Sequence, residues 1–168
     1  MTHFTVYRRF SVWLAAGVIV VAAGCTPWAT YPPTAQVLSV HNPVLYPLPL
    51  LMGQAPAYLH ELSGIPQRLV INLPAGTTVS VHDSVQNAVS GIQFMTSAEQ
   101  KAYHVKEIRI RGHQAEVDVI EPAPSGGYQL TTVSHTFGFE HGWTATGVRT
   151  WNLDIDLPVP TLTQVDAF

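Results

Sequence analysis

The sequence predicts an α+β domain. An antiparallel β-meander of about four strands follows an N-terminal strand pair and short helices, behind a leader and a proline-rich tether. Three observations predict it. "VKEIRIRGHQAEVDVIEP" at 105–122 alternates apolar and polar residues on both sides of Gly112-His113, as two half-buried strands joined by a two-residue turn would. Two more runs suited to strands, 128–137 and 143–153, follow glycine-containing loops. Upstream, the apolar stretches are short and broken by turn and capping residues. A chain of 168 residues supports one such domain.

The chain opens with a leader. Arg8 and Arg9 precede a 14-residue run, 10–23, in which Ser11 is the one polar side chain. This is shorter than the ~20 apolar residues of a membrane-spanning helix. Ala22, Ala23 and Gly24 then lead into Cys25, the only cysteine in the chain. A positive start, a short apolar middle and a small-residue end describe a secretory signal peptide. "AAGC" resembles the lipobox of bacterial lipoproteins, with Ala22 where that family most often has Leu. The resemblance covers about residues 1–25. It implies export, cleavage between Gly24 and Cys25, diacylglycerylation of the Cys25 thiol and acylation of the new amino terminus. The membrane is then a partner through lipidated Cys25. Thr26 stands where an Asp would retain a lipoprotein at the inner membrane, so the resemblance implies the outer membrane, facing the periplasm, in a Gram-negative cell. A plain transmembrane anchor or a secreted protein with an incidental thiol are the alternatives.

The divisions expected are a signal peptide at 1–24, lipidated Cys25 with a tether at 25–66, a globular domain at 67–157 and a tail at 158–168. The tether holds eight of the 13 prolines. Residues 26–42 read as an extended spacer. "PVLYPLPLLM" is more apolar than a solvated linker and reads as a strap over the core. "QAPAYLHEL" at 54–62 reads as a short helix ended near Gly64 and Pro66.

In the body, 68–73 ("RLVINL") and 77–83 ("TTVSVHD") read as a strand pair, with Asp83 capping a short helix over 84–90. A second short helix is expected from Thr96 or Ser97, with Glu99 placed as in a capping box. Glycine first in the Gly112-His113 turn suits type II′ and sets the register. Ile110 then faces Ala115, Arg109 faces Glu116 and Ile108 faces Val117. Glu107 meets Asp118, a like-charge pair that Arg109 can offset diagonally. Gly138 and Gly147 are candidate bulges. The last four strands resemble the meander of nuclear-transport-factor-2-like and cystatin-like domains, which implies a curved sheet wrapped on a helix and a pocket in its concave face. A small β-sandwich or barrel is the alternative.

Composition excludes several functions. After Cys25, six Lys/Arg stand against eleven Asp/Glu, a net charge of −5. With no cation cluster, nucleic acid is not an expected partner. One cysteine excludes a disulfide framework and a thiolate zinc site. Seven histidines follow Cys25 without metal-ligand spacing. The weak metal candidates are His135, Glu140 and His141 around one turn, and no resident metal or cofactor is expected. His82, Asp83 and Ser84 adjoin, but neighbours in an extended strand point to opposite faces, so no triad is read there. Phe137, Phe139, Trp143 and Trp151 are the candidate lining of an apolar ligand pocket. No catalytic residue is identified. The reading is a non-catalytic envelope lipoprotein with a structural or interaction role and a possible envelope-protein partner. The alternative is a small-ligand-binding module.

Overall fold

The computed structural model describes residues 27–34, 38–40, 42–153 and 155–161. The leader, Gly24 and Cys25 lie outside them. Among the described residues the architecture is α+β: two helices and an eight-stranded, mostly antiparallel sheet. In chain order the elements are β1 (Ala29–Tyr31), β2 (Leu38–Ser39), α1 (Leu48–Ser63), β3 (Leu69–Asn72), α2 (Val79–Ala88), β4 (Ile92–Phe94), β5 (Tyr103–Arg111), β6 (Gln114–Pro122), β7 (Tyr128–Gly138) and β8 (Gly142–Trp151).

The meander forms as the alternation requires. Arg111 pairs with Gln114, Ile110 with Ala115, Arg109 with Glu116, Ile108 with Val117 and Glu107 with Asp118. Gly112 has φ +58°, and His113 is not in the positive-φ region, as type II′ requires. Arg109 does offset the like-charge pair. Its guanidinium grips Asp118 through two bonds of 2.7 and 2.9 Å and reaches Glu116 at 3.1 Å. Beyond Glu107 the register shifts, because Lys106 is an extra residue before Val105 pairs with Val119.

Helix α1 corrects the short-helix expectation. It is 16 residues long and begins in the stretch read as a strap. Leu48, Leu51, Met52, Ala55 and Leu59 form its buried stripe, at the spacing of one helix face. The prolines concealed it. Pro49 sits in the first turn, where its missing N–H costs nothing. Pro56 is inside and buried, where packing outweighs a lost backbone bond. The stripe meets Ile108, Ala115, Val117, Val119, Val133 and Trp143 in one core.

The expected strand pair is also corrected. Residues 79–83 begin α2, with Thr78 at its N-cap, so Asp83 lies inside the helix. Val79 and Val81 alternate as a strand would, yet Val79 is exposed, and Val81, His82 and Val85, on one helix face, are buried. β3 pairs instead with β4 and β5, both parallel. The second short helix is a turn, where the Gln100 side chain, not Glu99, accepts from the N–H groups of Thr96 and Ser97.

The spacer is corrected as well. β1 pairs antiparallel with the C-terminal half of β5, joining Ala29 to Ile110 and Tyr31 to Ile108. β2 runs beside β1. At the other end of the chain, residues 155–161 cross to Asn72. The Asn72 amide donates to the Val159 carbonyl at 2.9 Å, and its oxygen accepts from the Thr161 N–H and hydroxyl, each at 3.0 Å.

Gly53, in the middle of α1, lets the two helices approach. A Cβ there would lie 2.7 and 2.9 Å from Val89 Cγ2 and Cβ and 3.0 Å from Ile92 Cδ1. Helix propensity favours Gly53→Ala by about 1 kcal/mol, but overpacking costs about 1–3 kcal/mol. Val89 Cβ cannot swing away without its backbone, so the variant is expected to be destabilised by about 1 kcal/mol in urea unfolding. A gain in stability would contradict the close helix contact.

Candidate functional site

The two groups of residues singled out from sequence are not assembled as expected. Phe137 and Trp143 do meet, with ring centroids 5.6 Å apart, and Trp143 belongs to the core beneath α1. Phe139 stacks edgewise on Phe137 at 5.9 Å but is fully exposed, at 101%. Trp151 is on the opposite face. Its indole N–H donates to the Thr132 hydroxyl at 2.9 Å, Thr132 donates to Asp118, and Arg149 lies over its ring at 3.7 Å. The cause is a bulge. Ser134 pairs with Gly147 but His135 with Ala145, so Thr146 is an extra residue. One extra residue reverses which face each later side chain takes. Gly147 borders this bulge, whereas Gly138 closes the hairpin opposite Gly142.

Among the described residues, the face of the meander that carries Ile108, Val117 and Val133 is packed by Leu48, Leu51, Met52, Ala55 and Leu59 of α1.

The metal candidates are separated too. His135 is buried at 1% exposure between Ala115 and Ala145 on the neighbouring strands. Glu140 and His141 are exposed at the β7–β8 turn, 3.8 Å apart. Among the described residues no three potential ligands gather. Neither ring nitrogen of His135 has a hydrogen-bond partner among them. Burial lowers its pKa to about 4, against a smaller upward pull from the Val133 backbone.

His104 is a second buried histidine, on the opposite face of the sheet. Its Nδ1 lies 3.3 Å from the Asn72 amide nitrogen, its ring meets Tyr128 edgewise at 5.6 Å, and its Nε2 has no partner among the described residues. Burial lowers its pKa to about 4 as well.

A different site emerges at the sheet end where β5 begins. Here the C-terminus of α1, the start of β3 and the β6–β7 loop enclose a cleft of about 380 Å³. Arg68, Lys101, His60, Ser63 and Tyr103 supply its polar lining; Ile65, Val70 and loop 122–124 supply its apolar walls. Gly64 ends α1 in the left-handed conformation, φ +63°, which turns the chain toward β3 and places Ile65 and Arg68 on the rim. The Tyr103 hydroxyl lies 3.4 Å from Ser63 Oγ. Burial raises the Tyr103 pKa, the Ser63 hydrogen bond opposes this and Glu121 adds to it, so the phenol keeps its proton at neutral pH. His60 Nδ1 is buried without a partner among the described residues.

The cations distinguish this cleft. Arg109 is held by carboxylates, Arg111 lies over Trp28, and Arg149 lies over Trp151. Arg68, Lys101 and Lys106 have no such partner among the described residues. Two of these three line the cleft, so an acidic protein concentrates its free positive charge there. Sequence reasoning missed it because its residues come from positions 60–70, 101–103 and 122–124. No spacing motif links them; the parallel pairing of Ile71 with Tyr103, the antiparallel pairing of His104 with Ile120 and the packing of α1 on the sheet bring them together.

No protein-family model matches the chain, and no curated protein or solved structure matches it. Among the described residues no helix is long and apolar enough to cross a membrane.

Proposed function

We propose that this chain is a lipid-anchored lipoprotein of the bacterial cell envelope, acting non-catalytically through contact with another envelope component. It is held at the membrane surface through Cys25, at the outer membrane facing the periplasm in a Gram-negative cell. The observation that carries the reading is "AAGC": the chain's only thiol follows small residues at the end of a signal-like segment. Two or three acyl chains suffice for stable anchoring, since each buried methylene contributes about 0.8 kcal/mol. The packed interior beneath α1 supports a role exercised at the surface rather than in a central pocket.

Intact mass of detergent-extracted protein tests this. The expected species begins at Cys25 and carries diacylglyceryl and acyl groups. Cys25→Ala should appear in the soluble fraction or as uncleaved precursor. Wild-type protein that begins elsewhere, or without acyl groups, would refute the assignment.

The cleft favours a second reading, a binding module for a small anionic ligand. Two unpaired cations beside hydroxyl donors suit a carboxylate or phosphate. Calorimetric titration with citrate and with inorganic phosphate provides the check. Arg68→Ala with Lys101→Ala should weaken binding at least about tenfold, the equivalent of about 1.4 kcal/mol. Heat signals unchanged by the double substitution would exclude the cleft.

A further inference from the structure

We propose that one end of the sheet, carrying Trp28, the Gly112-His113 turn and Phe139, is the face that this domain lays on the lipid bilayer. The inference rests on lipidation of Cys25.

The topology brings these parts together. Pairing of Ala29 with Ile110 sets Trp28 beside Arg111, whose guanidinium lies 4.7 Å above the indole ring. The next connection is the Gly112-His113 turn. The Phe137 N–H donates to the His113 carbonyl at 2.8 Å, which sets the β7–β8 turn alongside. With neighbouring strands about 4.8 Å apart, the start of β1 and the β7–β8 turn lie within about 20 Å along one edge.

Covalent reach decides which end meets the membrane. Cys25 precedes Ala29, the first residue of β1, by four residues. Fully extended, these span no more than about 14 Å. β6 has nine residues and extends about 30 Å at 3.4 Å each. A lipid on Cys25 therefore stays near the end where β1 begins and cannot reach the far end, where the cleft opens.

The side chains at the near end fit a bilayer surface. Phe139 is fully exposed, yet it is not a loose tip, because Phe137 supports it and Trp143 supports Phe137. An apolar ring held out on a rigid aromatic stack gains by leaving water. Trp28 has the amphipathic ring favoured at membrane interfaces, and Arg111 offers a guanidinium suited to headgroup phosphate. Glu140 follows Phe139 and lies 3.8 Å from His141. Its carboxylate limits entry to about one side chain, with Phe139 in the interface and Glu140 at headgroup level. The cleft with Arg68 and Lys101 then faces away from the membrane.

The lipidated thiol is a thioether, so a cysteine introduced elsewhere is the only free thiol of the mature protein. Phe139→Cys and, in the far loop, Ser125→Cys are each labelled with an environment-sensitive fluorophore. The proteins are purified from membranes and placed in phosphatidylethanolamine–phosphatidylglycerol vesicles containing a spin-labelled lipid. The label at 139 should shift to shorter wavelength and be quenched by the spin-labelled lipid, while the label at 125 should do neither. Equal response at both positions, or none at 139, in protein whose mass shows the acyl groups overturns the proposal and leaves the anchor intact. A mass without acyl groups overturns the anchor and the proposal with it, and is read before any fluorescence is measured.

Discussion

Lowering the pH from 7 to 5 should remove about 4 kcal/mol of folding stability, about 2 kcal/mol from each of two buried histidines. His104 and His135 are both 1% exposed, and burial lowers each pKa to about 4. In the unfolded chain the same imidazoles titrate near 6.5. Between these values the unfolded state binds more protons, so stability rises with pH there. It is fully present above about 6.5 and is lost progressively down to about 4. Urea unfolding followed by tryptophan fluorescence at pH 7 and pH 5 measures the difference, above most of the carboxylate range. His104→Gln and His135→Leu should each flatten the profile by about half. A stability that is level across this interval would show that the two rings are not buried as described. With typical domain stabilities of about 5–15 kcal/mol, this is a large effect for a domain of this size.

Replacing Arg109 with Met should cost about 3 kcal/mol. Among the described residues the guanidinium is the only cation on Asp118, and it also neutralises Glu116 and Glu107, at 3.1 and 3.7 Å. Asp118 is buried, and it would keep only its bond from the Thr132 hydroxyl at 2.6 Å. Three carboxylates on adjacent strands would then face one another without a counter-charge. Hydrogen bonding to Asp118 raises the Arg109 pKa, burial opposes this, and attraction to the carboxylates adds to the rise, so the guanidinium stays charged at every accessible pH. Asp118→Asn with Arg109→Met should recover part of the loss by removing the stranded charge. Denaturant midpoints of the two single variants and the double variant test this. Additive costs with no recovery would mean that the network contributes through packing alone.

The meander was legible because its information is local. Alternation with a period of two, a glycine at the turn and opposite charges at facing positions all specify the β5–β6 register, and each can be read within 18 residues. The helices were less legible. In α1 the stripe of Leu48, Leu51, Met52, Ala55 and Leu59 was present, but Pro49 and Pro56 argued against a helix on local grounds. In α2, Val79 and Val81 mimic strand alternation. In α1 burial against the sheet, and in α2 burial against α1, outweighs local preference, and burial is a tertiary quantity.

The sites divide along the same line. The amino-acid order alone placed the sole thiol at the end of a signal-like segment, paired Arg109 with Glu116 and Asp118, and laid out the meander, because each depends on neighbours in the chain or across one tight turn. Only the tertiary structure decided the rest. An extra residue at Thr146 sent Trp143 and Trp151 to opposite faces, and burial parted His135 from Glu140 and His141. The parallel seating of β3 on β5 gathered Arg68, Lys101 and Tyr103 into a cleft, and β1 set Trp28 and Phe139 along one edge. Such outcomes depend on contacts between distant segments, and residue spacing carries no record of them.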